Sequence, residues 1–294
     1  MSSSQIFICG TGRSGTNAIA MLLHTIPNMF ILDEPRFTYG VGGFPSFIVG
    51  GISLPRLIDN IATHFNQFVG DYPSDFWPLP DVYTTDNIRK AFASAIDVDA
   101  NAYIQCYQLM NAYANLGMTA TARTQWALKE PGIISQVAWA AQAFPNFKLI
   151  HVIREPKDTC CSMIAQPWGK EGLEWATANY THRLRDANFA ASCGDWIKQR
   201  KVHVISLENF LRAPEYSIKM LLSFLELNLD SALVQKLIDS VDASKSKQGA
   251  WRKEFTTTQA HVVDSVCNSI YYDFIRDENE SLKVEQNHMW GKDE

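Results

Sequence analysis

Gly10-Thr-Gly-Arg-Ser-Gly-Thr16 is the first stretch whose residue types and spacing suit chemistry. It follows the apolar run Ile6–Cys9 and precedes Ile19, Leu22, Leu23 and Ile26, which share one helical face. A glycine-rich turn between a strand and a helix gathers backbone N–H groups and the positive end of the helix dipole, an anion site. Gly10 and Gly15 hold the spacing of the nucleotide-hydrolase loop, but Thr16 stands where the lysine should reach the β- and γ-phosphates. Arg13 is the only cation within the loop. Gly10, Gly12 and Gly15 also match the dinucleotide fingerprint, with Asp33 as its acidic residue. A plain tight turn without a ligand fits the same residues.

A second stretch begins where Leu149–Ile153 runs into Arg154-Glu-Pro-Lys-Asp-Thr-Cys-Cys-Ser162. An arginine leaving a strand and a serine on the next helix can grip a phosphate, the arginine through two parallel bonds. A surface arginine and a helix-facing serine would read the same way. Pro156 suits the first turn of that helix.

These residues need a scaffold, and the apolar pattern supplies one. Strands are expected at Ile6–Cys9, Met29–Leu32, Trp126–Lys129, Leu149–Ile153 and Val202–Ser206. Helices are expected from Thr16, over Gly132–Phe144, after Glu155, and over Gly172–Ala191, Pro214–Leu227, Ser231–Val241 and Thr258–Tyr272. The alternation predicts an α/β fold: a three-layer, P-loop-type parallel sheet flanked by helices, with a helical and loop insertion over about 39–120. Ligands in such sheets sit at the carboxyl ends of strands, so the loops at Gly10, Asp33, Lys129 and Arg154 matter. Phe76, Trp77, Tyr83, Tyr103 and Tyr107 in the insertion would stack on a sugar, enclose an apolar acceptor, or pack the core. The domain reading is one domain over 1–276, followed by a polar, frayed tail over 277–294.

Composition narrows the classes. The 294 residues are 46% hydrophobic and 19% charged, which excludes a disordered chain, a coiled coil and a collagen-like fibre. A net charge of −5 argues against nucleic acid as a partner. Six cysteines without C-x-x-C spacing predict no metal and a reduced, cytoplasmic setting. No run is long enough for a membrane span.

Taken together, the two stretches resemble the sulfotransferases that use 3′-phosphoadenosine 5′-phosphosulfate. Gly10–Thr16 is similar to their 5′-phosphosulfate loop, and Arg154 through Ser162 to their 3′-phosphate motif. Lys129-Glu-Pro131, Phe144–Lys148, Leu207–Pro214 with Leu222–Leu225, and Gly249-Ala-Trp-Arg252 resemble further family segments in the family's order. The resemblance spans about residues 5 to 275. It implies that Gly12, Arg13, Ser14, Gly15, Thr16 and Asn17 surround the phosphosulfate. Arg154, Ser162, Lys247, Gly249 and Arg252 would hold the 3′-phosphate end, with Trp251 beside the base. The product would be adenosine 3′,5′-bisphosphate, with no metal required.

Sulfuryl transfer is an in-line displacement in which charge grows on the leaving oxygen, and Arg13 and Lys129 are the expected cations there. Relatives acting on phenols and steroids carry a histidine base where this chain has Pro131. Carbohydrate and tyrosylprotein sulfotransferases use a glutamate after the second strand, which Glu34 matches, with Asp33 as its competitor. The expected acceptor is a carbohydrate or another hydroxylated small molecule, or a protein tyrosine. A P-loop kinase or hydrolase and a non-catalytic nucleotide-binding protein are the alternatives. Glu208, His24, His151 and the Cys160-Cys161 pair are expected to be structural.

Overall fold

Five short strands carry almost continuous apolar sequence, and that is what strands buried on both faces require. They are β1 (Ile6–Gly10), β2 (Met29–Asp33), β3 (Gln125–Lys129), β4 (Lys148–Ile153) and β5 (Val202–Ser206). Every residue of β1, β2 and β4 is buried. The computed structural model describes residues 5–65, 79–194, 196, 199, 201–242 and 247–290. The strands form one parallel sheet in the order β2-β3-β1-β4-β5, flanked by helices, which is the expected α/β class.

The chain divides into two compact units, Met1–Cys9 with Asn17–Leu149, and Gly10–Thr16 with Ile150–Glu294. In the first, β3 pairs with both β1 and β2, and the register aligns Asp33 with Lys129 and Lys129 with Ile8. Helix α1 (Thr16–His24) and the turn after it bury Ile19, Leu22, Leu23 and Ile26, the predicted face. The insertion holds α2 (Phe44–Ile48), α3 (Leu54–Asp59) running into a π-helical turn at Asn60–His64, α4 (Thr85–Ala95) and α5 (Ala102–Ala120). Polar caps start the last two: Thr84 accepts from the Asn87 amide, and Asn101 from those of Tyr103 and Ile104. Gly117 lets α5 approach β2, because a Cβ there would lie 2.1 Å from the Phe30 ring. Tyr83 is core: its ring packs 4.5 Å from Tyr113, and its hydroxyl donates to the Tyr113 carbonyl. Tyr107 packs on Phe144 at 5.2 Å and stays partly exposed. Phe76 and Trp77 lie outside the described residues.

Where one helix was expected over Gly132–Phe144, a 3-10 turn at Pro131–Gln136 precedes α6 (Val137–Ala143). Gly132 lowers the helix propensity of this short turn, and 3-10 turns are frequent just before α-helices.

The second unit contains α7 (Pro156–Ile164), α8 (Gly172–Cys193), α9 (Leu207–Arg212), α10 (Pro214–Leu225), α11 (Ser231–Asp239), α12 (Trp251–Glu254) and α13 (Thr257–Trp290). Ile153, Cys160, Met163, Tyr180, Leu184, Val263 and Cys267 share its core. Helix α13 corrects the expectation of a helix ending at Tyr272, since it runs on to Trp290. The segment from Asp277 to Trp290 is polar but contains no glycine or proline, and polarity alone does not stop a helix. His151 is buried edge-on against Phe274, and burial pushes its pKa down to about 3, so it is a neutral packing residue.

Candidate active site

The loop between β1 and α1 has the backbone that an anion cradle needs. Gly12, Arg13 and Gly15 have φ values of 78°, 57° and 103°. That conformation costs glycine little, but is rare for an arginine. Gly10 and Gly15 are also demanded by space: a Cβ would lie 2.5 Å from the Val152 carbonyl oxygen at the first and 2.8 Å from Leu207 at the second. Thr16 is buried at the start of α1, and Asn17 is exposed on its first turn. Ser14 is fully buried, and its Oγ has no hydrogen-bond partner among the described residues. A buried hydroxyl without a partner is costly unless a ligand completes it. The loop residues therefore fit an anionic group.

The Arg154 motif joins this loop through hydrogen bonds. Arg13 donates from Nε to Ser162 Oγ at 3.1 Å. Arg154 is buried and donates to the carbonyls of Arg13 and Lys247, both at 3.2 Å, while its Nε has no partner among the described residues. Arg154 and Ser162 thus each hold Arg13, one by its backbone and the other by its side chain. The Arg154 carbonyl accepts from Tyr180 at 2.8 Å, which fixes the chain as it leaves β4. The Lys247 and Arg252 side chains are exposed, and the Trp251 ring has Lys157 at 4.8 Å and Arg252 at 4.9 Å over it. Glu208 is structural, accepting from the Glu155 amide, Ser206 and Tyr271.

A separate charged group ends β2 and β3. Their parallel register sets Asp33 beside Lys129 on one face, and Lys129 Nζ lies 2.7 Å from Asp33 Oδ1 and 2.5 Å from Glu34 Oε1. The Lys129 and Asp33 side chains are 3% and 7% exposed, whereas Glu34 is 38% exposed. Burial works against the Lys129 charge, but the two carboxylates outweigh it and hold the ammonium pKa above its ordinary value. Glu34 and Arg36 have φ values of 52° and 56°. Strain of this kind clusters at functional sites. Glu34 pairs with Lys129 and not with Arg36.

Sequence reasoning passed over two residues. Asp158 sits one helical turn after Arg154, and Glu130 sits between Lys129 and Pro131. Glu130 is buried and accepts from the Arg36 amide at 3.3 Å and the Gly132 amide at 3.4 Å. Burial, then the charge on Glu34, pushes its carboxyl up to about 8 from 4.5. The folded protein keeps this proton between those values while the unfolded chain releases it, so its contribution to stability falls as pH rises through that window. Glu130→Gln is neutral throughout. Its stability relative to the native protein should rise from pH 4.5 to 8, by about 4 kcal/mol at most. Urea denaturation across this range checks it, and parallel curves for the two proteins would refute it.

A model of the sulfotransferase family matches residues 5–231 of the chain. No curated protein sequence matches it. Among solved structures, the chain is similar to sulfotransferase STF9 from Mycobacterium avium, with 15% identity and a TM-score of 0.55 over 93% of this chain and 77% of that one. Sulfotransferase STF1 from Mycobacterium tuberculosis H37Rv is also similar, with 15% identity and a TM-score of 0.51 over 90% and 76%. At such identity these likenesses concern the fold.

Proposed function

Because the chain belongs to the sulfotransferase family, we propose that it moves a sulfuryl group from 3′-phosphoadenosine 5′-phosphosulfate to a hydroxyl or amine, with Glu34 as general base. The family supplies the donor class and the product, adenosine 3′,5′-bisphosphate. The observation that supports this donor in this chain is the buried, unpartnered Ser14 hydroxyl in a loop of left-handed residues.

When bound, the donor supplies an activated sulfuryl group on a good leaving phosphate. Gly12, Arg13, Ser14, Gly15, Thr16 and Asn17 enclose its phosphosulfate end, and the Arg13 guanidinium stays aimed because Ser162 holds it. The Arg154 motif, with Lys247, Gly249, Trp251 and Arg252, serves the nucleotide end. Arg13 and Lys129 offset charge on the leaving oxygen. Glu34 takes the acceptor proton at its carboxylate. Of the two neighbouring carboxylates, both paired with Lys129, Glu34 suits this role because it is 38% exposed while Asp33 is sealed from solvent.

In this reading residues 1–276 act as one catalytic domain, and the insertion over 39–120 selects the acceptor, a carbohydrate or other hydroxylated metabolite. A cytoplasmic setting is part of the same reading, supported by free thiols at Cys9, Cys106, Cys160, Cys161 and Cys267. Among the described residues no helix is long and apolar enough to cross a membrane. The test is a screen with sulfur-labelled donor against sugars, phenols and amines. Label should pass to at least one hydroxylated acceptor and should depend on Arg13. Transfer that survives Arg13→Ala unchanged would contradict these roles.

A further inference from the structure

Asp158 is buried on α7, yet it does not serve its own helix. That task falls to Glu155, whose carboxylate accepts from the Asp158 amide at 2.8 Å as the helix cap. The Asp158 carboxylate is thereby left for a distant loop. Its Oδ2 accepts from the Gly249 amide at 2.7 Å, and its Oδ1 from the Trp251 amide at 3.5 Å. Oδ2 also lies 4.0 Å from the Arg154 guanidinium, which in turn donates to the Lys247 carbonyl. The next residue on α7 reinforces the attachment. Lys157 lies over the Trp251 ring and is anchored by Asp264 at 2.5 Å and Glu155 at 3.4 Å.

The loop is shaped to receive these bonds. Gly249 has φ 74°, and a Cβ there would lie 2.2 Å from an Arg252 nitrogen. The Arg252 amide donates back to the Gly249 carbonyl at 3.1 Å. Fixing the Gly249 amide therefore fixes the start of the turn that carries Trp251 and Arg252.

We propose that Asp158 is a positioning residue for the donor, a latch that fastens the backbone of residues 249–251 to α7 and presents Arg252 and Trp251 to the nucleotide. The proposal rests on the donor reading above. It predicts a loop already held in the free protein, so that donor binding spends little of its energy on ordering it.

The test uses Asp158→Ala and Asp158→Asn in the full chain. Amide hydrogen exchange in the free protein should show Gly249 and Trp251 protected in the native chain and exchanging at least about tenfold faster in Asp158→Ala. Calorimetric titration with adenosine 3′,5′-bisphosphate should show about tenfold weaker binding for Asp158→Ala. Asp158→Asn retains one acceptor oxygen and should fall between. In turnover the loss should fall on donor KM more than on kcat. Equal affinity for the bisphosphate in native protein and Asp158→Ala would overturn the positioning role alone. A native protein that does not bind the bisphosphate would overturn the donor reading and the proposal with it.

Discussion

Lys129→Met should lose about 3–5 kcal/mol of stability at pH 8 and most of the catalytic activity. The lysine lies between two carboxylates, and both it and Asp33 are shut away from water. Methionine preserves the length of the side chain but leaves Asp33 as an uncompensated buried charge. Burial already raises the Asp33 pKa, and Lys129 is what opposes that rise. Without the lysine, Asp33 should hold a proton to higher pH. The penalty then applies only where Asp33 must ionise, so the variant should recover stability as pH falls. Denaturant curves at pH 5 and pH 8 test the sign. Adding Asp33→Asn should restore much of the stability at pH 8 without restoring activity. A loss below about 1 kcal/mol at both pH values would mean that the pair behaves as an exposed one.

Glu34→Gln should lower turnover by about 10²–10⁴, the usual worth of a positioned proton acceptor. The amide keeps the shape of the side chain and can still accept from Lys129, but it cannot take a proton from the acceptor. Stability should change little, because Glu34 is partly exposed and Asp33 remains to pair with Lys129. Donor affinity should stay within about threefold, since the carboxylate is assigned to the acceptor. Near-normal turnover, or a change confined to donor KM, would remove Glu34 from the base role.

The strands were legible in the chain because a parallel strand leaves a simple trace, a short apolar run ending at glycine or charge. Val202–Ser206 was read to the residue, and β1 to β4 to within one residue at either end. The first helix was legible for the same reason. The C-terminal helix was read from its start but not past Tyr272, because the run from Asp277 carries few apolar residues to read. The glycine loop announced itself through spacing that sterics enforce at Gly10 and Gly15. What stayed hidden were partners far apart in sequence. Arg13 and Ser162 are 149 residues apart, Lys129 and Glu34 are 95 apart, and Asp158 and Gly249 are 91 apart. The difference in exposure between Asp33 and Glu34 was equally hidden. Adjacent residues differ in exposure only once the β2–β3 register turns one of them inward.

Thermal unfolding with and without nucleotide tests the donor assignment most directly. Adenosine 3′,5′-bisphosphate at 100 times its Kd should stabilise the protein by about 2.7 kcal/mol. For a chain of this length that raises Tm by about 4 °C. ATP with magnesium and NAD at the same concentration should leave Tm within about 1 °C. A larger shift with ATP–magnesium or NAD than with the bisphosphate would contradict the account.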